Sequence, residues 1–280
     1  MQTIILNNGV AMPALGYGTY QITDPDTCTT CVSEALECGY RLIDTAQAYG
    51  NEEAVGKGIA QAPVAREDVF LTTKLWFRSY EPEEARDALA RSLELLRTDY
   101  LDLVLLHWPF GNTYGAYRVL EHVLRQGNVR AIGVSNFAES QLIDLVEFNE
   151  VVPQVNQVET NLLCQQASLH GLMTEMGIAH QAYAPFGQGS REEMFDLPAV
   201  TEAAAAHGAT PHQIALRFLT QQGISAIPKT TDPERMEENL ASCHLTLTDY
   251  EMTALKALDR KEPFIGRPQD EQLARSAMTW

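Results

Sequence analysis

Residues 69–107 read VFLTTKLWFRSYEPEEARDALARSLELLRTDYLDLVLLH. Two short apolar runs, VFLTTK at 69–74 and LDLVLLH at 101–107, flank the stretch EARDALARSLELLR, whose apolar residues fall at 85, 88, 89, 93 and 96. The outer runs have strand composition, and the inner spacing is that of an amphipathic helix. The segment therefore reads strand, helix, strand. The same alternation continues outward in both directions. Upstream lie ALGYG (14–18) and RLID (41–44); downstream lie AIGVSN (131–136), PQVNQVE (153–159), IAHQAYA (178–184) and SAIP (225–228).

Eight such runs alternating with helical stretches imply a parallel sheet, and their Val, Ile and Leu content implies burial on both faces. In a chain of 280 residues that is 45% apolar, a closed (β/α)8 TIM barrel forming one domain over 1–280 fits this pattern best. A doubly wound sheet is the alternative, weakened because GYGTYQ lacks the third glycine of a dinucleotide-binding turn. Ahead of the first strand, TIILNNGVAM reads as a β-hairpin around Asn7-Asn8-Gly9 that caps the bottom of the barrel.

The formal charge of −17 disfavours nucleic acid as a partner. No apolar run is long enough to span a bilayer, and MQTIILNNGV lacks the basic and apolar regions of a signal peptide. Five cysteines, an odd number, then point to free thiols and a cytoplasmic setting. Cys28 and Cys31 form C-x-x-C, but Asp24, Pro25 and Gly39 frame a helix in which both cysteines face a buried side. No metal-ligand cluster is visible.

Polar groups recur where the apolar runs end, which in a barrel is the active-site rim. Asp44, Lys74 and His107 end consecutive strands, so their side chains can converge, and Lys74 beside Asp44 makes an ion pair. Tyr49 precedes Gly50 and Asn51, the latter placed as the N-cap of a helix starting at Glu52. A phenol titrates near pH 10; a fixed Lys74 charge is expected to make it a usable acid, with His107 orienting a substrate oxygen. These groups suit protonation of an alkoxide formed by hydride addition to a carbonyl, and the hydride must come from a cofactor.

The stretch IPKTTDPERMEEN offers that cofactor an anion site. Lys229, Thr230 and Thr231 leave the eighth run, Asp232 and Pro233 start a helix, and Arg235 sits in its first turn, where an anion would favour it. The loop PFGQGS, with Pro185, Phe186, Gly187 and Gly189, can lay backbone N–H groups along a pyrophosphate. Tyr183 can stack on a flat ring, although a buried core tyrosine would look identical, and Ser135, Asn136 and Gln157 can hold a carboxamide, although for those three as a lone set structural hydrogen bonding is the better explanation.

The motifs GYRLIDTAQAYGNEEAVG, FLTTKLW, DYLDLVLLHWP, IGVSNF, VNQVE, AYAPFGQG and IPKTTDPERMEEN, in this order, resemble the aldo-keto reductases, most closely compact microbial members similar to 2,5-diketo-gluconate reductases. The resemblance covers nearly the whole chain. It implies that Asp44, Tyr49, Lys74 and His107 form a catalytic tetrad and that Ser135, Asn136 and Gln157 bind a carboxamide. It places Tyr183 under nicotinamide, Lys229, Thr230 and Arg235 on an adenosine 2′-phosphate, and Glu238 and Asn239 near adenine. The implied cofactor is NADPH/NADP+. Three features depart from the family pattern: Thr160-Asn161-Leu162 follows Glu159 where His-Pro is common, YAPF replaces YSPL, and the loop after His107 is short.

Tyr20, Trp76, Phe77, Trp108 and Phe110 are expected to line an apolar pocket for a small-molecule carbonyl substrate, and the tail from Lys261 to fold over its mouth. The chain is expected to act as a monomer. Two other readings are a barrel aldolase with Lys74 as Schiff base and a non-catalytic NADP(H)-sensing subunit.

Overall fold

The computed structural model describes residues 2–188 and 191–279. A two-stranded antiparallel hairpin, β1 (Thr3–Ile5) and β2 (Ala11–Pro13), precedes an eight-stranded parallel sheet. Its strands follow chain order: β3 (Tyr17–Gly18), β4 (Leu42–Asp44), β5 (Phe70–Leu75), β6 (Leu103–Leu106), β7 (Ile132–Ser135), β8 (Val155–Glu159), β9 (Ala179–Tyr183) and β10 (Ser225–Ala226). The helices are α1 (Pro25–Cys38), α2 (Glu52–Gln61), α3 (Pro82–Leu96), α4 (Thr113–Gln126), α5 (Glu139–Glu147), α6 (Ala167–Glu175), α7 (Arg191–Phe195), α8 (Pro198–His207), α9 (Pro211–Thr220), α10 (Pro233–Ala241), α11 (Asp249–Lys256) and α12 (Glu271–Ala277).

The sheet closes. Leu15 bridges Ala226, the Ala226 amide donates to Ala14 O, and the Gly16 and Gly18 amides donate to Ala226 O and Pro228 O. The expected barrel is thus present, with β3 and β10 forming its seam.

The two faces of each strand enter different cores, because successive side chains alternate. Leu42, Phe70, Leu103, Leu105, Ala131, Val155 and Ile227 pack inside the barrel together with Leu6 and Met12 from the hairpin region. The hairpin therefore plugs the bottom, as its sequence indicated. Ile43, Leu71, Val104, Leu106, Ile132 and Val134 face outward and join the larger core under the helices.

Helix ends follow their local chemistry. The Asp24 side chain accepts from Thr27 N with Pro25 at the start of α1, and Asp232 accepts from Glu234 N with Pro233 at the start of α10. Cys28 and Cys31 lie on the buried face of α1 as free thiols, and burial raises both above the ordinary thiol range. Asn51 differs from its expected role. It stands at the N-cap position of α2, but its amide accepts from Thr45 Oγ1 at 2.8 Å and donates to Thr19 O and Ile22 O at 2.9 and 3.3 Å. It ties three loops together instead of capping. No helix among the described residues is long and apolar enough to cross a membrane.

Candidate active site

Strand parity explains why the polar rim residues meet. Counting in twos from the inward Leu42, Phe70 and Leu105 reaches Asp44, Lys74 and His107. The same count from Ala131, Val155 and Ala179 reaches Ser135, Gln157 and Tyr183. The six stand above the apolar interior toward the C-terminal side of β4 to β9, with Gln157 one inward position below Glu159, the end of β8.

Lys74 is at the centre, with no exposed surface. Its Nζ donates to Asp44 Oδ1 at 2.5 Å, to Thr45 O at 3.0 Å and to the Tyr49 hydroxyl at 3.3 Å. An ammonium has three N–H groups, and all three are engaged. The Tyr49 oxygen receives one of them, so its own O–H is turned away from Lys74. Among the described residues no acceptor takes that proton. Asp44 is completed by Gln157 Nε2, which donates to Oδ2 at 2.8 Å. Burial raises the Asp44 carboxyl and lowers the Lys74 ammonium, while each offsets the effect on the other.

Tyr49 departs from the expectation that Lys74 makes it acidic. Burial and then the charge of Asp44 hold the phenol well above its ordinary value. The ion pair carries no net charge, so it gives little opposition to the desolvation of a phenolate. The hydroxyl is firmly protonated until another charge appears in the pocket. His107 is edge-on to Tyr49, with ring centroids 5.7 Å apart. Burial, then the Lys74 charge, lowers it well below the usual imidazole range, so it is neutral. Its Nδ1 is buried with no hydrogen-bond partner among the described residues.

The carboxamide candidates are linked to one another. Asn136 adopts a left-handed backbone (φ 64°), which asparagine tolerates. Its Nδ2 donates to His107 O and Ser135 Oγ, and its Oδ1 accepts from the Tyr183 hydroxyl at 2.7 Å. Ser135 Oγ donates to Gln157 O, and Gln157 Nε2 is shared between Asp44 and Gln181. The donors of this trio are therefore taken up within the protein. Its oxygens keep spare acceptor capacity toward an amide –NH2.

A second pocket lies beyond the seam. Phe186, Thr210, His212, Lys229, Thr230, Arg235, Glu238 and Asn239 line it, so the structure brings the expected Phe186, Lys229, Thr230, Arg235, Glu238 and Asn239 together. Thr231 is exposed and outside that lining, and Gly189 lies outside the described residues. Pro185 and Gly187 belong to the loop after β9, which bends at Ala184 (φ 47°) and Gly187 (φ 57°). The Tyr17 hydroxyl donates to Thr230 O at 2.5 Å and holds the loop after β10 against the seam.

Thr210 and His212 were not anticipated from sequence. Thr210 caps α9 and donates to Glu238 Oε1 at 2.5 Å, and the His212 ring packs 4.2 Å from Phe195 and 5.0 Å from Phe186. The T-P-x-Q capping box at 210–213 was a readable helix start. Its proximity to Lys229 was not readable.

The five candidate substrate aromatics flank Tyr49 and His107. Tyr20 packs on Tyr49 at 4.9 Å and Trp76 on His107 at 5.3 Å; Phe77 and Phe110 are 5.6 Å apart, and Trp108 stacks on Phe110 at 5.9 Å. The tail crosses this side, with Arg78 donating to Met278 O at 2.8 Å.

The whole fold that carries this arrangement recurs in known proteins. A solved aldo-keto reductase from a Medee basin deep-sea metagenome library superposes with a TM-score of 0.93 at 36% identity, covering 96% of this chain and 99% of that one. A Bombyx mori aldo-keto reductase solved in complex with NADP superposes with a TM-score of 0.90 at 33% identity, covering 95% of each chain. By sequence, a morphine 6-dehydrogenase from Pseudomonas putida is 40% identical over 269 residues, 91% of this chain and 90% of that protein. A glyoxal reductase from Bacillus subtilis is 38% identical, covering 97% of both. The sequence profile of the Aldo/keto reductase family matches residues 14–260, and the chain belongs to that family.

Proposed function

We propose that the chain reduces aldehydes or ketones to alcohols with NADPH, using Tyr49 as the proton donor. The observation that carries this reading is the hydrogen-bond order at Lys74: the ammonium donates to the Tyr49 oxygen at 3.3 Å, which leaves the phenolic proton for a ligand. NADPH supplies the hydride when bound. The chain's own residues do the rest. A carbonyl oxygen placed between Tyr49 and His107 gains negative charge as the hydride arrives, and that charge draws the Tyr49 proton. Lys74, locked by Asp44 and Thr45, then donates to a phenolate, so the charge is met by a donor already in place.

The cofactor fits the residues present. Lys229, Arg235 and Thr230 line one pocket in a chain of net charge −17, and this cation set suits a 2′-phosphate. Glu238 and Asn239 stand beside it for adenine, and Pro185, Phe186 and Gly187 for the pyrophosphate. Ser135, Asn136 and Gln157 offer acceptors to a carboxamide, with Tyr183 as the adjoining ring. Tyr20, Trp76, Phe77, Trp108 and Phe110 favour an apolar or flat substrate.

The Schiff-base alternative needs a Lys74 amine with a free lone pair and access to substrate. Full burial and three engaged N–H groups argue against it. A chain that only senses cofactor has no use for an unclaimed phenolic proton beside a neutral imidazole. One barrel domain supplies every group named here, which supports action as a monomer; the free thiols support a cytoplasmic setting.

The test is NADPH oxidation against a panel of aldehydes, ketones and ketoacids. Turnover with at least one class is expected, and it should collapse in Tyr49→Phe. Normal turnover in that variant would remove Tyr49 as the acid.

A further inference from the structure

Glu159 ends β8 on the barrel rim, 2% exposed, and among the described residues no lysine or arginine pairs with it. Its partners are two backbone amides of the C-terminal tail: Phe264 N donates to Oε1 at 2.8 Å and Ile265 N donates to Oε2 at 2.9 Å. Asn161 Nδ2 adds a contact at 3.4 Å. Asn161 also folds its own loop, with Oδ1 accepting from Leu163 N and Cys164 N. The Thr160-Asn161 segment that departs from the family pattern thus supports this carboxylate. Burial pushes the Glu159 carboxyl up, and the tail amides are the groups that oppose it most. Lifting the tail would take both amides from this carboxylate, a loss on the scale of the hydrogen bonds given up.

The same tail segment presses on the loop after β9. A Cβ added to Gly187 would stand 3.2 Å from Phe264 Cε2, so the phenyl ring lies directly over that glycine. Just past the loop, Glu193 forms an ion pair with Arg260 at the foot of the tail. At its other end the tail is tied to the aromatic side of the mouth through Arg78 and Met278 O. One strap therefore touches both the cofactor loop and the substrate wall.

We propose that Glu159 is a positioning residue that latches residues 261–279 over the loop at 185–188, so that NADPH enters and leaves only when the strap lifts. This rests on the cofactor assignment above. Coupling of this kind is reciprocal: if the latched strap retains cofactor, bound cofactor must hold the strap down.

The test uses the full chain and NADPH without a carbonyl substrate. NADPH dissociation is measured by stopped-flow fluorescence for wild type, Glu159→Gln, Phe264→Ala and the double variant. Glutamine keeps the volume but can accept from only one of the two amides. Each single change is expected to speed dissociation on the order of fivefold, the scale of one net hydrogen bond or a lost contact. The double variant should gain little more, because both act through one strap. In parallel, trypsin cleavage at Lys261 or Arg275 should be slowed by NADPH in wild type and not in Glu159→Gln. Phe264→Ala carries the test if Glu159→Gln does not fold. Dissociation within twofold of wild type in the folded single variants, multiplicative effects in the double variant, or tail cleavage indifferent to NADPH in wild type would each overturn the latch. A wild-type chain that binds no NADPH would overturn the cofactor assignment itself, and the latch with it.

Discussion

Removing Lys74 should harm stability and catalysis by separable routes. In Lys74→Met the Asp44 carboxylate, 1% exposed, keeps the 2.8 Å bond from Gln157 but loses its counter-ion. Breaking one side of a buried pair costs about 3–5 kcal/mol, a large part of the roughly 5–15 kcal/mol that holds a domain folded. Asp44→Asn with Lys74→Met removes both charges, keeps an oxygen for Gln157, and should recover most of that loss. Urea unfolding of wild type, both single variants and the double variant, followed by tryptophan fluorescence, gives the coupling between the two sites. A favourable coupling of about 3 kcal/mol or more is expected. The loss in Lys74→Met should also depend on pH. Burial raises the folded-state value of Asp44 above its unfolded value. Stability in that variant is therefore greatest below the unfolded value and falls as pH rises through the folded one. Turnover should stay low in the double variant, because Tyr49 still lacks its 3.3 Å partner. Additive losses, with the double variant as unstable as the sum of the singles, would refute the buried-pair argument. A double variant with normal turnover would refute the role of Lys74 under Tyr49.

Tyr49→Phe should lower carbonyl reduction by about 10²–10⁴-fold, the contribution of a positioned general acid, while NADPH affinity by fluorescence titration stays near wild type. Arg235→Ala should weaken NADPH by roughly tenfold or more, the worth of one charge-assisted hydrogen bond to phosphate, and leave NADH within twofold; equal weakening would remove the 2′-phosphate assignment. His180, buried behind β9 with Thr160 Oγ1 2.7 Å from Nε2 and His170 Nδ1 3.2 Å from Nδ1, is pushed down to about 3 by burial and then by His170. Its folded value is below its unfolded one, so its contribution is complete above about pH 6.5 and is lost as pH falls toward 3. Urea midpoints of wild type should fall faster than those of His180→Asn between pH 7 and pH 4; parallel curves would count against the assignment.

Much of the site was legible because strand parity is a local rule. Each of Asp44, Lys74 and His107 follows a buried run, so a reader of the sequence alone can place it on the rim. The clustering of Lys229 and Arg235 on one pocket was legible for a similar reason: Lys229, Asp232, Pro233 and Arg235 are close in sequence. The illegible parts are long-range. Asn51 has the sequence position of a cap, yet its amide reaches Thr19 and Ile22, about thirty residues upstream. Thr210 joins the second pocket through Glu238, a bond across 28 residues. Glu159 meets amides more than a hundred positions away. The acidity of Tyr49 misled for a different reason. Sequence pairs Lys74 with Asp44 but does not show how deeply the site is buried, and burial is the largest cause of the raised phenol.

The seam between β3 and β10 bears on when this protein can begin to work. Tyr17 anchors Thr230 across 213 residues, and Gly18 bonds Pro228. Neither contact can form until Pro228 and Thr230, in the last fifth of the chain, have left the ribosome. The first strand must wait, unpaired on that side, while six others assemble. During that interval Asp44, Lys74 and His107 can already be adjacent, but the pocket at Lys229 does not yet exist. Under the proposed cofactor assignment, capture is a late event in biogenesis, and it reports that the first and last strands of the barrel have met.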